Sequence, residues 1–218
     1  MNSKRNEAIL KMKRNSKEAI VESAITLFNR NGYYGTSIRD IAGHAKVNIA
    51  NISYYFNGKH GLLEHCFTTY FENYMEVLEA ASHRDFNSIS EKLKHVVREI
   101  IEFQWQNLQL TRFVLREVSI DSQVVREIMS TYYVKERYYL LSILEEGIEK
   151  KEFAKQSVQY SMIQLKSFLT MPFLNASYIQ EVLHIYLNEA YFIKKYLIEI
   201  NRWIDEVLCS SYSLTVSS

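Results

Sequence analysis

Apolar residues recur at three- and four-residue steps along most of the chain, which is the spacing of an amphipathic helix. The repeat is clearest over residues 93–101, 140–148 and 193–203. Five of the six glycines lie between Gly32 and Gly61, and the single proline is Pro172. Because glycine and proline most often interrupt helices, the chain beyond residue 61 is predicted to be almost entirely helical. No strand-like alternation of useful length occurs, so the predicted fold class is all-α.

The first predicted helix begins near residue 15 and ends at a glycine. Asn15, with Glu18 three residues later, fits an N-cap pair, and Ser16 is the alternative cap. Gly32 is suited to end the helix. The residues of its apolar face are Ile20, Ala24, Leu27 and Phe28.

Two shorter helices follow, joined by a tight turn. Ser37 and Asp40 form a capping pair for the second helix, and Asn48 caps a third helix of about two turns. The turn between them covers residues 43–47, and a long fourth helix is predicted over about residues 59–81. Three short helices in this arrangement are typical of a helix-turn-helix, in which the third helix enters a DNA major groove.

The third helix has one apolar face and one face suited to DNA. The residues expected to hold the second and third helices together are Ile41, Ala42, Val47 and Ile52. The opposite interpretation, a solvent-facing helix of a generic bundle, explains poorly why such a short helix would expose an isoleucine and two tyrosines. The predicted DNA-binding residues are Ser37, Arg39, Asn48, Ile49, Ala50, Asn51, Ser53, Tyr54, Tyr55 and Lys59.

Each of these residue types has a chemical role at a duplex. The Asn51 amide can form two hydrogen bonds with an adenine edge, and Ile49 and Ala50 can contact thymine methyl groups. The hydroxyl groups, among them that of Ser37, can donate to phosphates, and Arg39 and Lys59 add positive charge. Such a face favours positions that contain A·T pairs.

Charge is divided unevenly along the chain. The whole sequence has 26 Lys plus Arg against 25 Asp plus Glu, whereas residues 1–60 carry ten basic and four acidic residues. This local excess suits the salt-dependent, sequence-independent part of DNA binding. Residues 1–14 form a basic arm that either reaches the DNA backbone or is a solvated lead-in. The predicted domains are therefore this arm, a DNA-binding domain over residues 15–61, and a helical dimerisation and regulatory domain over residues 62–218.

Residues 18–65 resemble the DNA-binding domain of the TetR family of bacterial regulators. The resemblance includes the YF-x-x-K-x-x-L signature at Tyr55, Phe56, Lys59 and Leu62. Ser53 is a departure, since most members of the family have a phosphate-contacting tyrosine at this position. The resemblance implies a regulator that binds DNA as a dimer. Residues 1–14 contain no apolar core of signal-peptide type, so we expect the protein to stay in the cytoplasm.

Two later segments, Thr111–Glu136 and Ile163–Asn175, resemble the RefZ group of cell-division regulators in spore-forming bacilli. This resemblance implies a nucleoid-associated homodimer on palindromic sites that links chromosome position to assembly of the division protein FtsZ. The tentative surface for such a protein partner consists of Arg112, Arg116, Glu117 and Arg126. A solvated helix face is the alternative interpretation of these four residues.

A single helix-turn-helix contacts few base pairs, so two copies about 34 Å apart, or a multiple of it, are expected. The residues predicted to form the dimer interface are Met162, Leu165, Phe168, Leu169, Phe192, Tyr196, Ile200 and Trp203. Each of them could equally belong to the intramolecular core. The aromatic residues of the later helices leave open a small-molecule pocket and, with it, the alternative function of a ligand-responsive repressor.

No enzyme site is recognisable in the sequence. It contains no phosphate-binding glycine loop, no dinucleotide fingerprint and no nucleophile turn. His60, His65 and Cys66 are poorly spaced for metal ligands, and the two cysteines form no disulfide framework. Charged residues interrupt every apolar stretch before it reaches the length of a membrane span, and no signal peptide is evident. We therefore predict no catalysis, no cofactor, no metal and no membrane partner.

Overall fold

The computed structural model describes the backbone of residues 2–120 and 123–209 and the side chains of residues 16–120, 123 and 125–209. Within these ranges the regular structure is helical, which confirms the predicted fold class. The α-helices in chain order are α1 (Asn2–Asn31), α2 (Ile38–Ala45), α3 (Ile49–Phe56), α4 (Lys59–Ser82), α5 (Ile89–Gln106), α6 (Leu108–Ser119), α7 (Gln123–Glu149), α8 (Val158–Leu174), α9 (Ala176–Glu181) and α10 (Ala190–Trp203). A π-helical segment, Ile204–Leu208, follows α10 directly.

The first helix is longer than predicted. It begins at Asn2, so Asn15 and Ser16 lie inside the helix and are not its N-cap. Residues 2–14 contain several good helix formers and no glycine or proline, so the helix continues through them. Its other end agrees with the prediction, because Gly32 has a φ of +77° and its N–H donates to the Phe28 carbonyl oxygen at 2.9 Å. The side chains of the basic arm lie outside the described residues, so its contact with DNA stays a prediction.

The chain forms two compact units. The first unit comprises Met1–Tyr70 and Arg112–Ile128, and the second comprises Phe71–Thr111 and Met129–Ser218. The division lies within α4 and differs from the boundary predicted after residue 61, because α4 continues without interruption through that position. Helices α4, α6 and α7 each contribute residues to both units.

Aromatic side chains fill the core of the first unit. Phe113 of α6 stacks on Phe28 with ring centres 5.0 Å apart and meets the edge of Phe67 at 5.9 Å. All three are fully buried, and each such side chain stabilises the fold by about 1.5–3 kcal/mol. At the start of α4, a Cβ on Gly61 would lie 1.8 Å from the Phe56 carbonyl oxygen. Only glycine therefore lets α4 begin so close to the end of α3.

The second unit has an apolar core and a buried carboxylate that is bound by two donors. Its buried apolar residues include Leu93, Val96, Val97, Ile100 and Ile101 of α5, Leu165, Leu169 and Phe173 of α8, and Phe192, Ile193 and Ile200 of α10. The Tyr74 hydroxyl and the Lys166 ammonium each donate to Oε1 of the buried Glu136 at 2.6 Å. These bonds compensate for burying the carboxylate and join α4, α7 and α8.

Candidate nucleic-acid interface

The start of α2 is fixed by a reciprocal cap, as the sequence predicts. Ser37 Oγ accepts a hydrogen bond from the Asp40 N–H at 3.2 Å and donates to Asp40 Oδ2 at 2.6 Å. The Ser37 N–H also donates to this oxygen, at 2.9 Å. The side-chain hydrogen bond from Ser37 is the main reason why the pKa of Asp40 lies below its ordinary value. Since Ser37 donates its hydroxyl hydrogen to Asp40, donation to a phosphate would require this bond to break. The DNA contact of Ser37 stays a prediction.

The turn between α2 and α3 sets the direction of the third helix. Lys46 adopts a left-handed conformation with φ of 54°, and the Val47 N–H donates to the Ala42 carbonyl oxygen at 3.0 Å. Asn48 then caps α3, its Oδ1 accepting from the Ala50 N–H at 2.8 Å. Both predicted caps are therefore present, and α3 starts at a fixed angle to α2.

Helix α3 has two chemically distinct sides. Ile52 and Phe56 are buried against the first unit, Ile52 completely. On the other side, Ile49 is 38% exposed and Tyr54 is 70% exposed. The remaining predicted contact residues of this side are the exposed Asn48, Ala50 and Ser53 and the half-buried Asn51 and Tyr55. These residues cover the broad part of α3 that lies away from Ile52 and Phe56, and we call this part of the helix the α3 face. Its contact with DNA stays a prediction.

The side chain of Lys59 is held by contacts within the protein. Its Nζ donates to the carbonyl oxygens of Tyr33 and Thr36, each at 3.0 Å, and lies 4.3 Å from the centre of the Tyr33 ring. Two of its three N–H groups are therefore used to hold the segment between α1 and α2. Arg39, by contrast, is exposed on α2. The prediction for Lys59 changes accordingly, because its principal contacts lie within the protein.

Sequence reasoning missed the residues that anchor this segment. Thr36 is 1% exposed, and its hydroxyl lies 2.9 Å from the Gly32 carbonyl oxygen. Tyr33 supplies both a carbonyl acceptor and a ring for Lys59. The run Gly32–Ser37 reads as a generic turn in the sequence, and only the three-dimensional structure reveals that a lysine 26 residues beyond Tyr33 holds it in place.

The surface predicted for a protein partner is partly internal. Arg116 donates to the Asn29 carbonyl oxygen at 2.9 Å and also to the Phe28 carbonyl oxygen. Glu117 is 6% exposed, and burial raises the pKa of its carboxyl while the neighbouring Arg116 opposes that shift. Arg116 therefore binds the end of α1, and Glu117 accepts from the backbone N–H of Tyr33 just after it. Their part in a partner surface stays a prediction. Arg126 is exposed and Arg112 is half-buried.

The predicted dimer residues are likewise largely internal. Leu165, Leu169 and Ile200 are fully buried within the chain, and Phe192 is 7% exposed. Met162, Phe168, Tyr196 and Trp203 are half-buried, the Tyr196 hydroxyl donating to the Phe168 carbonyl oxygen at 2.9 Å and Phe168 packing on Trp203. The four buried residues therefore pack within the chain, and their role in a dimer interface stays a prediction. The apolar period of a helix is the same whether it faces its own core or a partner.

A different stripe on α8 and α9 is both apolar and accessible. Its residues are Tyr160, Ile163, Met171, Leu174 and Tyr178, which are between 39% and 72% exposed. Within α8, spacings of three and eight residues place Tyr160, Ile163, Met171 and Leu174 on one side of the helix. Tyr178 lies on α9, which begins after the helix is interrupted at Asn175. We call this surface the α8 stripe. Exposed apolar patches of this kind mark sites of association.

The alternative chemistries receive no support within the described residues. No group of three or more His, Cys, Asp or Glu there could hold a metal ion, and Cys66 is buried. None of the helices in this part of the chain has the length and apolar character needed to cross a bilayer.

Comparison with known proteins connects this geometry to a family. Residues 20–66 match the family model described as "Bacterial regulatory proteins, tetR family". A Bacillus subtilis (strain 168) protein named "Probable HTH-type transcriptional regulator YttP" is 48% identical over 197 residues, which cover 90% of this chain and 95% of that protein. The biofilm operon icaADBC negative transcriptional regulator IcaR of Staphylococcus aureus (strain Newman) is 29% identical over 89 residues, covering 39% of this chain and 48% of that protein.

Solved structures share the same fold. The TetR family regulator PfmR of Thermus thermophilus superposes with a TM-score of 0.71 at 17% identity, covering 85% of this chain and 96% of that one. AibR, solved in complex with isovaleryl coenzyme A and operator DNA, superposes with a TM-score of 0.70 at 14% identity and the same coverage.

Proposed function

Because the chain belongs to the TetR family of bacterial regulators, and is thus a DNA-binding transcriptional regulator, we propose that it binds palindromic DNA as a homodimer through the α3 face. The observation that carries this proposal is the two-sided character of α3. One side is buried, while the other carries the exposed Ile49 and Tyr54 and the half-buried Asn51 and Tyr55. Solvation alone does not explain why a short helix carries apolar and aromatic residues on its accessible side.

Some residues of the α3 face are suited to recognising bases, and others are suited to contacting phosphates. Asn51 is suited to a bidentate hydrogen bond with adenine, and Ile49 and Ala50 to contact with thymine methyl groups. Tyr54, Tyr55, Ser53, Asn48 and Arg39 are suited to phosphates. Lys59 contributes charge and keeps the segment before α2 in place. The preferred half-site is therefore rich in A·T pairs.

Dimerisation is proposed to use the α8 stripe. A two-fold interface needs one self-complementary patch, and the stripe is mainly apolar, with the exposed Ser167 between Ile163 and Met171. Pairing of two stripes would bury these side chains and give the dimer two copies of the α3 face. Half-sites about 34 Å apart, or at a multiple of that distance, follow from this symmetry.

A second part of the proposal concerns the cellular process that the protein regulates. The segments Thr111–Glu136 and Ile163–Asn175 resemble RefZ regulators, and this resemblance supports a role in which the DNA-bound dimer acts on FtsZ and thereby links chromosome position to cell division. The protein would then be nucleoid-associated. The contact with FtsZ is tested by co-purification of the two proteins with and without site DNA.

A ligand-responsive repressor is the second candidate. Helices α5 and α10 line a groove of about 530 Å³ that includes Trp105, Leu197 and Asn201. Asn201 Oδ1 is buried and has no hydrogen-bond donor within the described part of the chain. A small molecule with an apolar body and one N–H or O–H group would satisfy that oxygen. The AibR structure, with both an acyl coenzyme A and operator DNA, provides a precedent in a protein of the same fold.

Selection of bound fragments from genomic DNA tests the proposal and separates the two candidates. A dimer on palindromes enriches a small set of A·T-containing sites. Sites grouped by chromosome position favour the division role, whereas sites confined to promoters, together with a metabolite that raises the melting temperature, favour the repressor. Recovery of random fragments would contradict sequence-specific binding.

A further inference from the structure

Helices α5 and α10 lie side by side in the second unit and run in opposite directions. At one end of the pair, the Trp105 indole N–H donates to the Leu187 carbonyl oxygen at 2.8 Å, just before α10 begins. At the other end, the Lys94 ammonium donates to the carboxylate of Asp205, just after α10 ends. These two contacts fix the register of the helices, and the groove of about 530 Å³ runs along the pair.

The floor of this groove is apolar. Ile193 and Leu197 of α10 line it and are buried, and Ile198 lines it with 45% of its surface exposed. The Trp105 ring lines the end at which α10 begins. Because the indole N–H is already bonded, the ring offers the groove an apolar surface. A volume of this size is within the range of small-molecule sites, which are mostly apolar and carry a few polar groups that orient the ligand.

Arg98 and Asn201 bring a hydrogen-bond donor and an acceptor to the opposite end of the groove. Arg98 lies four residues after Lys94. Asn201 lies four residues before Asp205, so it and Arg98 are each about one helical turn from the same ion pair. Asn201 Oδ1 is buried, and no described residue donates to it. Because a buried acceptor without a donor destabilises the fold, an N–H or O–H group of a ligand would be bound favourably there.

The charged residues that line the groove favour an anion. They are the exposed Arg98 and Lys194 and the half-buried Glu102. Within the described part of the chain, none of the three has an ion-pair partner. Two cations against one carboxylate give the groove an excess of positive charge, so a ligand with one negative charge is favoured over a neutral one. The Arg98 guanidinium is suited to donate to a carboxylate at the polar end.

Nearby carboxylates outside the lining do not reverse this balance. Lys94 and Arg202 each donate to one of them, so those charges are neutralised in pairs. Glu99 lines a separate groove beside α4. Glu189 directly precedes α10 and thus lies at the end opposite to Arg98. An anion is therefore most stable at the Arg98 end, with its apolar part directed along the groove.

We propose that this groove binds a monoanionic amphiphile, an organic acid whose carboxylate is next to a hydroxyl or N–H group and whose apolar tail is about 10 Å long. Arg98 binds the carboxylate, and Asn201 Oδ1 accepts from the neighbouring donor. The tail lies over Leu197 and Ile193 and ends at the Trp105 ring. Its length follows from the seven-residue separation of Arg98 and Trp105 on α5, at about 1.5 Å per residue. The inference rests on the second candidate function, in which the groove takes a small molecule, and it specifies the class of that molecule.

Isothermal titration calorimetry of the full-length protein with three amphiphiles tests this inference. The first is 2-hydroxydecanoate, which has a carboxylate, a neighbouring hydroxyl and a tail of this length. Decanoate lacks the hydroxyl, and 1,2-decanediol lacks the charge. The wild-type protein should bind 2-hydroxydecanoate about ten-fold more tightly than either of the other two, because each of them loses one of the two polar contacts.

Two variants assign the polar contacts separately. Asn201→Leu replaces the amide by an apolar group of similar size and should bind 2-hydroxydecanoate and decanoate with equal affinity. Its melting temperature without ligand should equal or exceed that of the wild type, because an unpartnered buried oxygen is removed. Arg98→Gln should weaken the binding of both acids about ten-fold and leave that of the diol unchanged. The matched control is Arg137→Gln, at an exposed position of α7 that does not line the groove, and it should bind all three compounds as the wild type does.

The possible outcomes separate the inference from the function on which it rests. The ligand class is overturned if none of the three compounds binds, or if both variants bind 2-hydroxydecanoate as tightly as the wild type. It is also overturned if Asn201→Leu changes the sedimentation of the protein from dimer to monomer, since a second protomer would then cover the groove. If 2-hydroxydecanoate binds as expected but leaves the affinity for site DNA unchanged in fluorescence anisotropy, the ligand class stands and the ligand-responsive repressor is refuted. DNA binding without ligand tests the α3 face independently of all these results.

Discussion

The ammonium group of Lys59 lies 4.3 Å from the centre of the Tyr33 ring and donates a hydrogen bond to the carbonyl oxygen of that residue. A cation at the amino end of α4 thus holds the segment that leads into α2. We expect Lys59→Ala to lower the free energy of unfolding by roughly 1–3 kcal/mol, because two backbone acceptors lose their donor. DNA affinity should fall alike for specific and random sequences. Urea unfolding and fluorescence anisotropy measure the two effects.

Arg39→Ala is the matched comparison, since Arg39 is an exposed cation on the neighbouring helix. It should leave stability unchanged and reduce the slope of log affinity against log salt by about one. A Lys59→Ala protein that is as stable as the wild type would show that the internal contacts of Lys59 are unimportant.

The α8 stripe provides a prediction about assembly. Ile163→Asp places a carboxylate in the proposed interface, where its desolvation would oppose pairing. Sedimentation of this variant at micromolar concentration should yield a monomer, and its affinity for a palindromic site should fall steeply. Asn87→Asp adds the same charge at an exposed loop position and should remain dimeric. Dimeric Ile163→Asp protein would place the interface elsewhere.

The Ser37–Asp40 cap links stability to pH. Hydrogen bonds from Ser37 hold the pKa of Asp40 below its unfolded value, so the cap stabilises the fold above that unfolded pKa and loses this effect as the pH falls through the folded pKa. Ser37→Ala should lower the free energy of unfolding by about 1 kcal/mol at neutral pH. NMR titration should show the pKa of Asp40 returning towards its ordinary value. An unchanged pKa would refute the assigned cause.

Loss of the Arg116 charge beside Glu117 should give the stability of the protein the opposite dependence on pH. Burial raises the pKa of Glu117, and the Arg116 charge counteracts this shift. Arg116→Ala removes that charge, so the pKa of Glu117 should rise further and the variant should regain stability as the pH falls through this raised value. Urea unfolding at pH 7.5 and pH 5 measures the change. Arg116→Ala/Glu117→Gln should lose the difference between the two pH values, and a difference that persists would implicate another group.

The parts of the site that depend on local chemistry could be predicted from the sequence. Ser37, Asn48 and Gly32 act over three or four residues, and both predicted caps and the end of α1 are where their residue types place them. The exposed side of α3 follows from the same short-range periodicity. The start of α1 could not be placed from caps alone, because Asn15 and Ser16 are also compatible with a helix interior when good helix formers precede them.

Contacts between residues that are far apart in the sequence could not be predicted. The apolar periods of α8 and α10 are the same whether Leu165 or Ile200 faces the core or a second protomer, and only tertiary packing decides between these possibilities. The roles of Lys59 and Arg116 depend on backbone carbonyl groups more than 20 residues away. The sequence around a charged residue does not indicate that its side chain will bind a distant backbone carbonyl group.

The affinity of wild-type and Asn51→Ala protein for a selected palindrome and for random DNA, compared at one salt concentration, tests the central claim most directly. If α3 reads bases, the variant loses roughly 1–3 kcal/mol on the palindrome, tolerates substitution at one base position, and binds random DNA as the wild type does. Equal losses on both DNAs would contradict base reading by Asn51 and the placement of the α3 face in the major groove.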